Sequence, residues 1–126
     1  MRHMKMSNVM KKSLIISGLA LLAACANTNI DYAKAGDWDA VGYSDGIKGK
    51  LPRTTINFKG YSGVNINDYD DGYLRGVKEY CNPDHAYQIG LMGNYYEGVC
   101  ENTKDAQKFR MEWRRGWIDY QGRNLD

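Results

Sequence analysis

The stretch Asp68–Cys81, DYDDGYLRGVKEYC, decides the fold class. Tyr69, Gly72 or Tyr73, Gly76 and Tyr80 recur three and four residues apart, the spacing that places side chains on one face of an α-helix. Glycine inside a helix costs about 1 kcal/mol relative to alanine. Its repetition on an aromatic stripe therefore implies a packing role for the small surface. With Asp68 as N-cap, the pattern predicts a helix over 68–81.

The theme extends outward in both directions. DWDAVGYSDGIKG, residues 37–49, sets Trp38, Gly42, Asp45 or Gly46, and Gly49 along one face, and Asp37 caps a helix over 37–48. FRMEWRRGWIDY, residues 109–120, does the same with Phe109, Trp113, Gly116 or Trp117, and Tyr120. It lies in a helix over 103–121 capped by Asn102 or Thr103. The Gly-x-x-x-Gly spacing of Gly42/Gly46 and Gly72/Gly76 is that of close-packed membrane helix pairs. These segments are too charged for lipid, so the spacing is read as close packing in water.

Two segments read differently. Residues 51–67 mix β-branched residues with Gly and Asn and predict irregular chain or a short hairpin. In 84–100, Tyr87, Gly90, Gly93 and Tyr96 stand three apart, and Asp84 after Pro83 suits a helix start. Gly90, Gly93 and Gly98 in so short a run also suit strand–turn–strand, and the turn-rich reading is preferred.

The N-terminus supplies an address. Met1–Lys12 carries Arg2, Lys5, Lys11 and Lys12 and no acid; an apolar run, Leu14–Ala24, follows. A basic stretch, a short apolar stretch and small residues before a cut are the parts of a secretory signal. Eleven residues rise roughly 16 Å as a helix, about half a hydrocarbon core. Met4, Met6 or Met10 are alternative starts that leave the signal intact. Leu22-Ala23-Ala24-Cys25 resembles the lipobox of bacterial lipoproteins. That resemblance implies recognition of Leu22, Ala23 and Ala24 by the signal peptidase and acylation of Cys25. Several acyl chains make a stable anchor where one is marginal. Ala26, where an Asp commonly retains such lipoproteins at the inner membrane, implies the outer membrane. The expected organisation is a lipoprotein signal over 1–24, a lipidated tether over 25–36 and one globular domain over 37–126.

Removing the signal takes four basic residues and no acid, which turns a net charge of +2 into −2. Nucleic acid, which needs a concentrated basic face, is not an expected partner. After Cys25 there are 15 aromatic residues against 16 Val, Ile, Leu and Met, so rings must do much of the burying. With Cys25 acylated, Cys81 and Cys100 remain as an even pair in an oxidising compartment, which predicts a disulfide. Metal ligation would need more than His85 to join them. The expected fold is mainly α, a small α or α+β arrangement. It would have about three helices with aromatic and glycine packing faces and a turn-rich, disulfide-closed segment.

Asp37-Trp38, Gly42-Tyr43, Asp45-Gly46, Gly49, Tyr69, Gly72, Gly76, Tyr80-Cys81, Gly90, Gly93, Tyr96, Gly98-Val99-Cys100 and Gly116 together carry a further likeness. Over most of 37–121 the chain resembles a family of small bacterial lipoproteins known only as a domain of unknown function. It departs from that pattern between Gly49 and Tyr69, where the family has a longer, more helical insertion. It departs again at Glu101, where the family has proline. The likeness implies address and fold, and no activity.

Chemistry-bearing motifs are sparse. Ser44, Ser62 and His85 form no Gly-x-Ser-x-Gly elbow, and no Gly-rich phosphate loop with its Lys occurs. In an EF-hand register for Asp68, Asp70 and Asp71, Tyr69 would occupy a ligand position and Lys78 the place of the bidentate Glu. The acids are read instead as a capping, solvated first turn. Asp45 and Glu79 are the candidate carboxylate pair for glycan hydrolysis, and the rings are candidates for stacking on sugars, though a stripe at helical spacing is read first as core. The expectation is a non-enzymatic binding or scaffolding protein of the envelope, with no cofactor or metal. Its partners would be the membrane through the anchor and an envelope protein or cell-wall glycan, and the alternative is a glycan-binding or glycan-hydrolysing protein.

Overall fold

A computed structural model of the chain describes residues 28–124. By its contacts the chain divides into Met1–Asp31 and Tyr32–Asp126, and the core lies in the second. Five helices are described: α1 (Thr28–Lys34), α2 (Trp38–Ile47), α3 (Ile66–Tyr80), α4 (Pro83–Leu91) and α5 (Ala106–Arg123). No strand occurs among the described residues. The fold is mainly helical, with a disulfide between Cys81 and Cys100.

The helices pair as two hairpins, α2 with α3 and α4 with α5. Both are closed by glycine. A Cβ placed on Gly42 or Gly46 would fall under 3.0 Å from the backbone of α3, and one on Gly72 or Gly76 equally close to that of α2. Gly90 and Gly116 hold the same relation between α4 and α5. Any side chain there would force the axes apart, which is the physical reason for the glycines on the stripes.

The hairpins share a set of contacts. Each first helix ends in a left-handed glycine, Gly49 (φ 66°) and Gly93 (φ 77°). Paired bonds close both ends: Gly49 N–H to Gly46 O with Lys50 N–H to Asp45 O, and Gly93 N–H to Gly90 O with Asn94 N–H to Ile89 O. Each such glycine lies against a tyrosine ring of the second helix, Tyr80 and Tyr120. Tyr43 donates to Glu79 at 2.7 Å, and Tyr87 donates to Asp119 at 2.7 Å. Arg75 stands 5.7 Å from the Tyr43 ring centre, and Arg115 stands 4.0 Å from that of Tyr87. In sequence this is Tyr43-x-x-Gly46-x-x-Gly49 with Arg75-Gly76-x-x-Glu79-Tyr80, and Tyr87-x-x-Gly90-x-x-Gly93 with Arg115-Gly116-x-x-Asp119-Tyr120.

One apolar core joins the hairpins, with Trp38, Val41, Tyr69, Tyr73, Val77, Tyr80, Ala86, Tyr96 and Phe109 all buried. Tyr80 of α3 meets Phe109 of α5 at 5.4 Å between ring centres, and Tyr96 meets Phe109 at 5.0 Å. Residues 51–64 fold over the first hairpin without regular structure and supply Phe58 and Tyr61, which stand edge-on to Trp38 at 5.7 and 5.4 Å.

Several expectations are corrected. The preferred turn-rich reading of 84–100 is wrong over its first half: Pro83–Leu91 is helical, and only 92–100 is turns. Gly90 marks contact with α5 rather than a break, so the helix gains more from close packing than glycine costs it. The N-cap of α3 is Asn65, whose side chain accepts from Asp68 N–H, so Asp68 lies in the first turn. Asp105 precedes α5, which begins at Ala106 and not near Asn102 or Thr103, because Thr103 Oγ1 donates to Cys100 O instead. Residues 28–34 form α1, and Ala33 of that helix lies in the core. Of the aromatic stripes, Tyr80 is buried and Trp113 is partly buried against the core.

Candidate functional site

The polar residues inside the first hairpin serve the fold. Asp45 is 2% exposed and accepts from Tyr69 Oη at 2.9 Å and from Arg53 Nε at 2.7 Å. The Arg53 N–H donates to Tyr69 Oη at 3.0 Å, so one buried carboxylate ties residues 51–64 to both helices. Burial holds the Tyr69 hydroxyl well above its ordinary range, and the bond to Asp45 raises the Arg53 guanidinium further. Glu79 faces elsewhere, accepting from Tyr43. The two carboxylates considered as a hydrolytic pair therefore serve separate partners.

Asp39 is held below the usual carboxylate range by its hydrogen bonds from Arg75, and Glu101 by those from Tyr96 and then Arg110. Carboxyls so held are acceptors and stay ionised, the reverse of what a general acid needs. Among the described residues, no group of three or more His, Cys, Asp or Glu stands together to hold a metal ion. Asp70 and Asp71 are exposed.

Two surface concavities combine polar groups with large exposed side chains. The first, about 660 Å³, lies between the hairpins and is lined by Lys48, Glu79, His85, Met92, Asn94, Tyr95 and Glu97 among others. Tyr95 is 72% exposed and edge-on to Trp113 and Trp117 at 6.0 and 6.2 Å. It offers a ring held by rings, beside hydrogen-bonding groups of both signs.

The second, about 690 Å³, runs along the outer face of α5 past Gln107, Arg110, Met111, Arg114, Trp117 and Ile118. Met111 is 62% and Ile118 57% exposed. Arg110 pairs with Glu101, and among the described residues Arg114 has no ion pair. No acid lines this concavity. Sequence reading took the helix only for its buried stripe. The signal for the other face was present in residues 107, 110, 111, 114, 118 and 121, which recur three and four apart without a carboxylate.

Leu22, Ala23, Ala24 and Cys25 lie outside the described residues. Cys81 and Cys100 are both buried and bonded, with α-carbons 5.5 Å apart. The bond ties the end of α3 to the turns before α5. Tyr96 fixes those turns by accepting from Cys100 N–H at 3.0 Å and donating to Glu101 at 2.7 Å.

Comparison with known proteins adds a family. The profile described as "Protein of unknown function (DUF2799)" matches residues 37–118. The "Uncharacterized protein YfiL" of Escherichia coli (strain K12) is 30% identical over 111 residues, which cover 85% of this chain and 91% of that protein. No solved structure matches.

Proposed function

We infer that this chain, which belongs to the DUF2799 family, is a lipid-anchored binding or scaffolding module of the bacterial outer membrane, facing the periplasm and without turnover of its own. The address comes from the sequence: the signal over 1–24, the lipobox Leu22-Ala23-Ala24 and the acceptor Cys25. The observation that carries the molecular reading is the division of labour among polar groups. Asp45, Asp39 and Glu101 are engaged by arginines of the fold, while the open surface presents Met111, Ile118 and Tyr95. Exposed apolar groups rimmed by polar ones suit contact with a partner.

A fatty-acid probe fed to cells should label the protein, and Cys25→Ser should abolish the label. A mature N-terminus other than Cys25 would overturn the address. A photocrosslinker at residue 95 in intact cells should then capture a partner. A soluble chain that turns over isolated cell-wall material would overturn the non-enzymatic reading.

Cell-wall glycan is the second reading. It is favoured by Tyr95, an exposed ring flanked by Asn94, Glu79 and Glu97, the pairing of apolar face and polar rim that a sugar requires. Retention on purified cell wall, lost with Tyr95→Ala, is its test.

A further inference from the structure

We propose that the outer face of α5 rests on a bilayer surface bearing anionic headgroups. α5 carries Lys108, Arg110, Arg114, Arg115 and Arg123 against Glu112 and Asp119, a net +3 in a mature chain of net −2. The acids stand away from the outer face: Glu112 pairs with Arg115, and Asp119 accepts from Tyr87. Arg114, without an ion pair among the described residues, and Arg110, which shares its charge with Glu101, remain on that face with Met111, Ile118 and the partly buried Trp117. Cationic heads, protruding aliphatic groups and an indole on one helix face fit an acyl–headgroup boundary.

The charge balance makes the fit directional. The rest of the domain is net acidic and is repelled overall by anionic lipid, which favours approach by a cationic face. α3 shows the contrast. At the places equivalent to Arg110, Met111 and Arg114 it has Asp70, Asp71 and Leu74. The same scaffold, repeated, carries a cationic face on one copy alone. Nearness to a bilayer rests on the anchored reading above, under which eleven residues separate Cys25 from Asp37, a span of at most about 40 Å. The chemistry of the face does not depend on that reading.

The test uses residues 25–126 carrying Cys25→Ser, so that no acyl chain contributes; the core and the disulfide lie within this stretch. The chain is mixed with vesicles of phosphatidylethanolamine and phosphatidylglycerol, or of phosphatidylcholine alone. Binding is read by co-sedimentation and by quenching of tryptophan with brominated lipid. Binding to the phosphatidylglycerol vesicles only, weakened by salt, is expected. Arg114→Ala should lower partitioning about fivefold, and Ile118→Asp should lower it with circular dichroism unchanged. No binding to either vesicle overturns the proposal, as does undiminished binding by Arg114→Glu. Capture of an acidic protein at residue 114 that vesicles do not displace also overturns it. If vesicles bind but cells show no label on Cys25, the anchor falls and the face stands; the converse removes the face alone.

Discussion

Replacing Gly76 by alanine should destabilise the domain, although alanine is the better helix former. A Cβ at Gly76 would lie 2.5 Å from Tyr43 O, 2.6 Å from Ile47 N and 2.9 Å from Gly46 C. All three are backbone atoms of α2, so no rotamer change relieves the contact. Ordinary packing begins near 3.4 Å, so the helices must part by the difference between 2.5 and 3.4 Å. Overpacking of a filled interior costs roughly 1–3 kcal/mol, and contact with rigid backbone belongs at the upper end. Helix propensity returns about 1 kcal/mol. The net is a loss of about 2 kcal/mol, or roughly 8–16 °C in Tm for a domain of this size. Gly122→Ala is the internal control. It sits in α5 with nothing within 4 Å of its would-be Cβ, so the same substitution should stabilise by up to about 1 kcal/mol. Thermal melts and urea unfolding of both variants measure the pair. A neutral or stabilising Gly76→Ala would refute the close approach of α2 to α3. Gly116→Ala should behave as Gly76→Ala does, because it meets the Tyr87 carbonyl and Leu91 N in the equivalent place.

Breaking the Cys81–Cys100 bond with Cys81→Ala should cost roughly 2–5 kcal/mol. In the native protein neither sulfur should react with iodoacetamide, and modification of either without denaturant would contradict the bond. Asp45→Asn should cost about 2 kcal/mol, because it leaves the Arg53 guanidinium, itself a quarter exposed, without its counter-ion against Tyr69. Urea midpoints unchanged from the parent would show that residues 51–64 are held by the rings alone. Stability should also fall in alkali. Burial raises the pKa of Tyr69, Tyr73, Tyr80 and Tyr96, so the stability they contribute is complete below the unfolded tyrosine value near 10 and is lost as pH rises beyond it. Each can contribute a slope of at most about 1.4 kcal/mol per pH unit there. Urea unfolding from pH 9 to 11, with phenolate absorbance followed alongside, should show the decline, and a flat profile would contradict burial of the hydroxyls.

Much of the architecture was legible because the stripes are local. Tyr69, Gly72, Gly76 and Tyr80 announce a helix face whatever it meets, and Cys81 and Cys100 were expected to pair from the cysteine count. Residues 83–91 misled for the opposite reason. Gly90 looks like a breaker in isolation, and only the carbonyl of Trp113 against it shows why a glycine must be there. The repeat stayed hidden because what recurs is a set of contacts. Tyr43 with Glu79 and Tyr87 with Asp119 lie far apart in sequence, on offsets that differ between the two helices of each hairpin.

What the chain determined alone is what one or two turns of backbone can express: the helical stripes, and the expectation that Cys81 pairs with Cys100. Which acid would be buried was not of that kind. Asp45 looks like any polar residue on a helix until Arg53 and Tyr69 arrive from elsewhere in the chain and make its charge tolerable out of water. The outer face of α5 was likewise decided in three dimensions. A helix has several faces rich in large side chains, and burial of Phe109 and Gly116 against the core is what leaves Arg114, Met111 and Ile118 to the outside.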